Sequence, residues 1–153
     1  MNTLQYIATA IAALGMLCAR AEARSDIKEV AFQRADGVAC RVTLSIDELT
    51  GPPTIWGAEG ARPATLASSL RAKCKDGTVS VPREAFLDLG NPLRLAVELA
   101  GQGYDIVIGG AQGPLAYVAR LHVEGHAVVE RDVASTASIP AMTEHVSYRE
   151  NES

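Results

Sequence analysis

The chain has 153 residues, of which 48% are hydrophobic, and its formal net charge is −4 at pH 7. This weakly acidic charge gives no support for nucleic acid or an anionic membrane as a partner, since both favour a basic protein surface, and we expect no nucleic-acid partner. The length is that of one ordinary domain with a core of its own.

The N-terminal sequence predicts a secretory signal peptide over residues 1–23. Tyr6 to Ala19 form an uncharged apolar run about as long as a signal h-region, and Ala21 and Ala23 form an A-x-A cleavage pattern. The run is shorter than the roughly 20 apolar residues that a membrane-spanning helix needs. Because residues 1–5 contain no Lys or Arg, a buried N-terminal helix is the alternative. We therefore expect a periplasmic or secreted protein that is not integral to the membrane after cleavage.

The cysteines predict one disulfide. Cleavage would remove Cys18 and leave Cys40 and Cys74, and two cysteines in an exported domain most simply form a bridge. Closing a loop of about 34 residues would contribute on the order of 3 to 4 kcal/mol in the loop-entropy model. A reactive or metal-binding pair is disfavoured, because the two lack C-x-x-C spacing and a nearby histidine.

The clearest strand is predicted over Val38 to Ile46, where apolar side chains occupy every second position. The Asp36-Gly37 pair just before it is a strong hairpin-turn signal. Val30 and Phe32, further upstream, have the same period-two spacing. The domain that follows the signal is therefore predicted to open with a β-hairpin.

Residues 64–75 allow two interpretations. Leu70 and Cys74 belong to a period-two pattern that leads into a second Asp-Gly pair, as in a hairpin strand with Cys74 facing inward. They also belong to a helical stripe that begins at Leu66. The sequence alone leaves strand and helix open here.

The second half of the chain predicts a meander. Residues 82–90 favour one short helical turn, because a proline begins the segment and a glycine ends it. Short alternating segments separated by glycine turns then follow, and residues 134–153 form either a last strand or a flexible tail. Eight or nine short strands predict an all-β domain over residues 24–153, a small antiparallel β-sandwich or a partly open barrel.

The segment from Thr50 to Pro63 is too irregular for a simple turn, with three prolines, three glycines and the only tryptophan. Loops of this length in compact domains are usually functional or mobile. Trp56 is either a plug packed against the sheet or an exposed anchor, since tryptophan dominates many binding hot spots. The residues predicted to contact a partner are Ile55, Trp56 and Glu59.

The sequence HVEGH places His122, Glu124 and His126 within five residues. A dedicated zinc site needs three or four ligands, and Glu124 at a turn apex is poorly aimed as the third, so no metal is predicted. A three-residue turn with Gly125 in a G1 bulge is predicted to place His122 directly opposite His126 on the solvent side. Two facing imidazoles resist double protonation, and one is then expected to titrate at low pH.

No other motif indicates chemistry. The GQG and GGAQG glycines lie between strands and lack the features of a phosphate-binding loop, and no G-x-S-x-G elbow occurs. We expect no cofactor and no catalytic residue, and a module that binds a protein or an envelope component. The alternatives are a small secreted hydrolase built from distant His and Asp or Glu residues, and a structural envelope protein. A concave pocket that holds His122 or His145 beside a buried carboxylate would favour the hydrolase.

Overall fold

The computed structural model describes residues 25–50, 62–113, 116–136 and 143–148. Regular structure in these ranges is β apart from one 3₁₀ turn, Arg83–Ala85, which confirms the all-β prediction and its short helical turn. The predicted signal peptide and residues 51–61 lie outside the described residues. The strands are β1 Asp26–Gln33, β2 Ala39–Glu48, β3 Thr65–Cys74, β4 Gly77–Val79, β5 Pro92–Ala100, β6 Gly103–Gly110, β7 Tyr117–Glu124, β8 Ala127–Ser135 and β9 Thr143–Ser147.

The strands form two antiparallel sheets that pack into a sandwich. The first has the order β1-β2-β3-β4 and the second the order β5-β6-β7-β8-β9, so each strand pairs with its neighbour in sequence. Inward-facing side chains of both sheets form one core, because alternate residues of each strand point to the same face. The largest fully buried side chains are Val42, Leu44, Tyr104, Ile106, Ile108, Leu121 and Val123.

Backbone bridges also join the sheets along one side. Ser80, just after β4, forms a parallel bridge with Ala127 of β8. The Ser80 N–H donates to the carbonyl of His126 at 2.7 Å, and the Val128 N–H donates to the carbonyl of Ser80 at 3.0 Å. A second bridge links Leu66 of β3 to Gly90, which precedes β5. The β3–β4 edge of the first sheet is therefore bridged to β8 and to the segment before β5.

Residues 65–74 form a strand, which is one of the two alternatives predicted for residues 64–75. The helical stripe also fitted the sequence because Leu70 and Cys74 are four residues apart, a spacing that suits a strand and a helix alike. β3 pairs with β2 through Ser45↔Ser69 and then Ile46↔Ala67, which leaves Ser68 as the extra residue. The bulge allows Ala67 and Leu70, three residues apart, both to face the core, at 1% and 5% exposure.

The predicted disulfide is present. Cys40 of β2 and Cys74 of β3 are directly opposite each other in the ladder and form the Cys40–Cys74 bond. Both are buried, and the prediction that Cys74 faces inward is confirmed.

The predicted pairing of the two histidines is wrong. β7 and β8 are joined by a two-residue turn, Gly125 and His126, instead of a three-residue one, and Gly125 takes the positive φ of +57° there. A bulge at Val129 then shifts the register, so that His122 pairs with Glu130. The shift turns Val128 into the core, where it is only 3% exposed.

The C-terminal segment contributes a last strand, as one of the two alternatives predicted. β9 pairs with β8 from Ala134↔Thr143 to Glu130↔Ser147 and forms the edge of the second sheet. Residues 137–142 and 149–153 lie outside the described residues.

One charged side chain, Arg131, points into the sandwich between apolar neighbours. It is 5% exposed and forms an ion pair with Asp88 at 2.6 Å and another with Glu144 at 3.5 Å. Its Nη1 also donates to the carbonyl of Glu84 at 3.4 Å. The pairs connect β8 to the segment after the 3₁₀ turn and to β9.

Replacing both Cys40 and Cys74 by alanine should lower the free energy of unfolding by about 3 kcal/mol, because the bond closes a loop of 34 residues in the unfolded chain. The β2–β3 ladder should keep the fold intact. Urea unfolding followed by circular dichroism measures the change, and reduction of the wild type serves as the control. A double variant with the wild-type midpoint would contradict this prediction.

Asp88→Asn should destabilise the protein more than Arg131→Met. The first change leaves a buried guanidinium with less compensation and should cost about 1–3 kcal/mol. The second returns Asp88, 43% exposed, to water and should stay within about 1 kcal/mol of the wild type. Thermal and urea unfolding of both variants test this, and equal losses of stability in the two variants would contradict the prediction.

Candidate functional site

The hairpin turns at one end of the sandwich enclose a cleft of about 740 Å³, which we call the turn cleft. Turns from both sheets meet there, since the β1–β2, β5–β6 and β7–β8 connections all contribute to its wall. The side chains that give the turn cleft its chemistry are Arg34, Asp36, Tyr104, His122, Glu124 and His126.

A charge network ties the turns at this end together. The Arg34 guanidinium binds Asp36 of its own turn, with Nε 3.1 Å from Oδ1, and reaches Asp76 of the β3–β4 turn at 2.9 Å. The other oxygen of Asp76 lies 3.3 Å from Nε2 of His126, in the second sheet. The hydrogen bond from Arg34 lowers the pKa of Asp36 to about 2. Arg34 and His126 thus have carboxylate partners within the fold.

His122 belongs to a separate pair. Its Nδ1 lies 2.7 Å from Oδ1 of Asp105, the residue directly opposite it on β6, and its Nε2 lies 3.5 Å from Glu124. Because His122 faces Asp105 and Glu124 while His126 faces Asp76, the structure does not bring the two histidines together as a cross-strand pair. Both ring nitrogens of His122 lie next to carboxylates.

Tyr104 lines the inner wall of the turn cleft. The residue is 1% exposed, and its ring packs edge-on against Phe32 with the centroids 4.7 Å apart. Burial raises the pKa of its hydroxyl. Among the described residues that hydroxyl has no hydrogen-bond partner, which costs stability in a buried position.

The second concave surface lies on the outer face of the first sheet and encloses about 570 Å³; we call it the basic groove. Period-two alternation sends one face of β1, β2 and β3 to the core and the other into this groove. Small side chains form part of its floor, and four cations surround them: Ala31, Ala39, Arg41, Arg71, Lys73 and Lys75.

The cations of the basic groove have little compensation. Arg41 is 62% exposed and has one carboxylate neighbour, Glu29, at 3.2 Å. Arg71, Lys73 and Lys75 are exposed, and no carboxylate in the described part of the chain forms an ion pair with them. The groove is therefore a region of positive potential on a chain whose net charge is negative.

The arrangement of these cations is unfavourable for folding. Arg41 and Lys73 are directly opposite each other in the β2–β3 ladder, and like charges in that position cost about 0.2–1 kcal/mol. Local choices that work against the fold concentrate at functional sites. The cations of the basic groove therefore point to a functional role and not to a role in stability.

The basic groove was not among the predicted sites, although the sequence carries a signal for it. Arg71 and Lys73 occupy alternate positions of β3, and Lys75 follows at the same spacing just past the end of the strand; alternate positions of a strand share a face. The signal depended on the strand assignment of residues 64–75, which the sequence left open. The predicted contact residues Ile55, Trp56 and Glu59 lie outside the described residues and stay a prediction.

The outer face of the second sheet differs from the groove, because most of its charges are paired; among the described residues the exposed Arg94 forms no ion pair. Arg120 binds Glu98 and lies 3.7 Å from Asp105. His145 Nδ1 lies 2.7 Å from Oδ1 of Asp132, and that hydrogen bond raises the pKa of His145. This face offers few charges that a partner could neutralise.

The described residues contain no group of three or more His, Cys, Asp or Glu side chains that could hold a metal ion. Within the same residues no helix has the length and apolar character needed to cross a membrane. Cys40 and Cys74 are engaged in their bond, and the six side chains of the turn cleft include no hydroxyl or thiol nucleophile besides the buried phenol of Tyr104.

Comparisons of the chain with protein-family models, with curated proteins and with solved structures found no match.

Proposed function

We propose that this protein is a non-catalytic binding module, periplasmic or secreted, that holds an anionic region of a protein or envelope partner in the basic groove. The observation that carries the proposal is the set of exposed cations on one concave sheet face, three of which form no ion pair with a described carboxylate. The disulfide supports an oxidising compartment. The loop around Trp56 stays a second predicted contact of the same module.

The like-charge pair adds a stability argument to the proposal. Arg41 and Lys73 repel each other in the free protein, and an anionic group bound between them would remove that repulsion. Removing one of the two cations should therefore preserve or raise stability while it weakens binding. Removing a residue that served only the fold would instead lower the stability of the protein.

The double variant Arg71→Glu/Lys73→Glu should weaken binding of polyglutamate at low salt at least about tenfold, since each lost pair contributes about 0.2–1 kcal/mol and each reversed charge repels. Its urea midpoint should equal or exceed that of the wild type. The control Arg83→Glu/Arg94→Glu changes the net charge identically at exposed positions outside the groove. Fluorescence anisotropy of labelled polyglutamate measures affinity, and equal losses in the two double variants would sink the assignment of the groove.

A small hydrolase is the second candidate, favoured by one observation: His122, hydrogen-bonded to Asp105, lines a concave cleft. The Asp105 side chain is 19% exposed, so the carboxylate is partly shielded but not buried. A reaction there would have to activate water, because the side chains of the cleft supply no free hydroxyl or thiol. The contact between Nε2 and Glu124 occupies the nitrogen that would do so.

Hydrolysis of an activated ester separates the two candidates. We expect the wild type and His122→Ala to hydrolyse p-nitrophenyl acetate at the same rate, because both ring nitrogens of His122 already lie next to carboxylates. An activity that is lost in His122→Ala and in Asp105→Asn, with both variants folded by circular dichroism, would favour the hydrolase instead.

A further inference from the structure

Resting on the proposed function, we infer that the partner presents an extended acidic polypeptide segment, with carboxylates at every second residue, that lies along β3 in the basic groove. Four exposed cations alone would favour any anion. Their positions on the strands favour one kind of anion, with carboxylates at a defined spacing.

The spacing of the cations matches the spacing of alternate residues in an extended peptide. Arg71 and Lys73 are two residues apart on β3, and Lys75 continues the same line, with its N–H held by the carbonyl of Ala39 at 3.0 Å. A strand rises about 3.3 Å per residue, so successive cations lie roughly 6.6 Å apart. An extended peptide has the same repeat, and its alternate side chains share one face. Three charge pairs can then form in register.

The neighbouring strands supply the second step. Arg41 is directly opposite Lys73, so a carboxylate at the centre of the segment meets two cations. On β1, the residue directly opposite Arg41 is Ala31. Ala39 also lines the groove, where its carbonyl accepts the hydrogen bond from the Lys75 N–H. Methyl groups at these places leave room for a peptide backbone and its small side chains above the sheet.

The lining of the groove argues against single-stranded nucleic acid as the bound anion. Single-stranded nucleic acid is usually bound by stacking its bases on aromatic side chains. Phe32 is the only aromatic residue among those that line the described groove, and its ring is already packed against Tyr104. An acidic peptide needs no such platform, because carboxylates and a backbone suffice.

Two peptides of equal composition and charge test the spacing. One is Asp-Val-Asp-Val-Asp-Gly and the other Asp-Asp-Asp-Val-Val-Gly, both with blocked termini and a fluorescent label. We expect the full-length protein to bind the alternating peptide about tenfold more tightly than the block peptide at low salt. Lys73→Gln should reduce that difference to about twofold, because it removes the central cation, whereas Arg94→Gln should leave it unchanged.

The outcomes also separate this inference from the proposed function. Equal affinity for both peptides, with loss in Arg71→Glu/Lys73→Glu, would overturn the acidic-strand inference and leave an anion-binding groove. Tighter binding of inorganic polyphosphate than of the alternating peptide would do the same. Failure of the wild type to bind either peptide, polyphosphate or polyglutamate would overturn the inference and the proposed function together.

Discussion

The register between β2 and β3 is the constraint on which the core and the basic groove both depend. Side chains alternate on a strand, so a shift of one residue would exchange the two faces. If β3 shifted by one residue against β2, Leu70 would move to solvent and Lys73 would move into the core. The Cys40–Cys74 bond joins two directly opposed positions of this ladder and excludes that shift. This one covalent bond therefore fixes which side chains of β2 and β3 are buried in the core and which charged side chains lie on the outer face.

At the turn-cleft end of the sandwich, charged side chains are paired with each other, unlike most cations of the basic groove. Arg34 and His126 come from different sheets, and Asp76 lies between them. Beside them, the Ser80–Ala127 bridge joins the same two sheets through the backbone. Arg34 and His126 thus hold the turns of the two sheets together. Because both already have a carboxylate partner, they have less capacity to bind a ligand than the unpaired cations of the groove.

Much of the fold was predictable because burial imposes period two on strands that have one wet face. The alternation around Val42 identified β2, and the two cysteines that remain after the predicted cleavage identified the disulfide. The bulges could not be predicted, because an inserted residue changes the phase without a sequence signature as strong as the alternation itself. The extra residue Ser68 brings Ala67 to the core face of β3, and the extra residue Val129 removes the predicted opposition of the histidines. Errors about the site therefore arose from register and not from fold class.

Net charge was a poor guide for a related reason. The whole chain is acidic, yet its two outer sheet faces differ in how their charges are compensated. On the second sheet, Arg120 and His145 each have a cross-strand carboxylate, so their fields cancel within a few ångströms. On the first sheet, Glu29 is the carboxylate that pairs with the groove cations, through Arg41. Because screening in physiological salt limits exposed charges to a range of about 8 Å, a partner at the groove responds to those local cations far more than to the acidic total. The local pairing pattern, which requires strand register, is what decides the sign of the ligand.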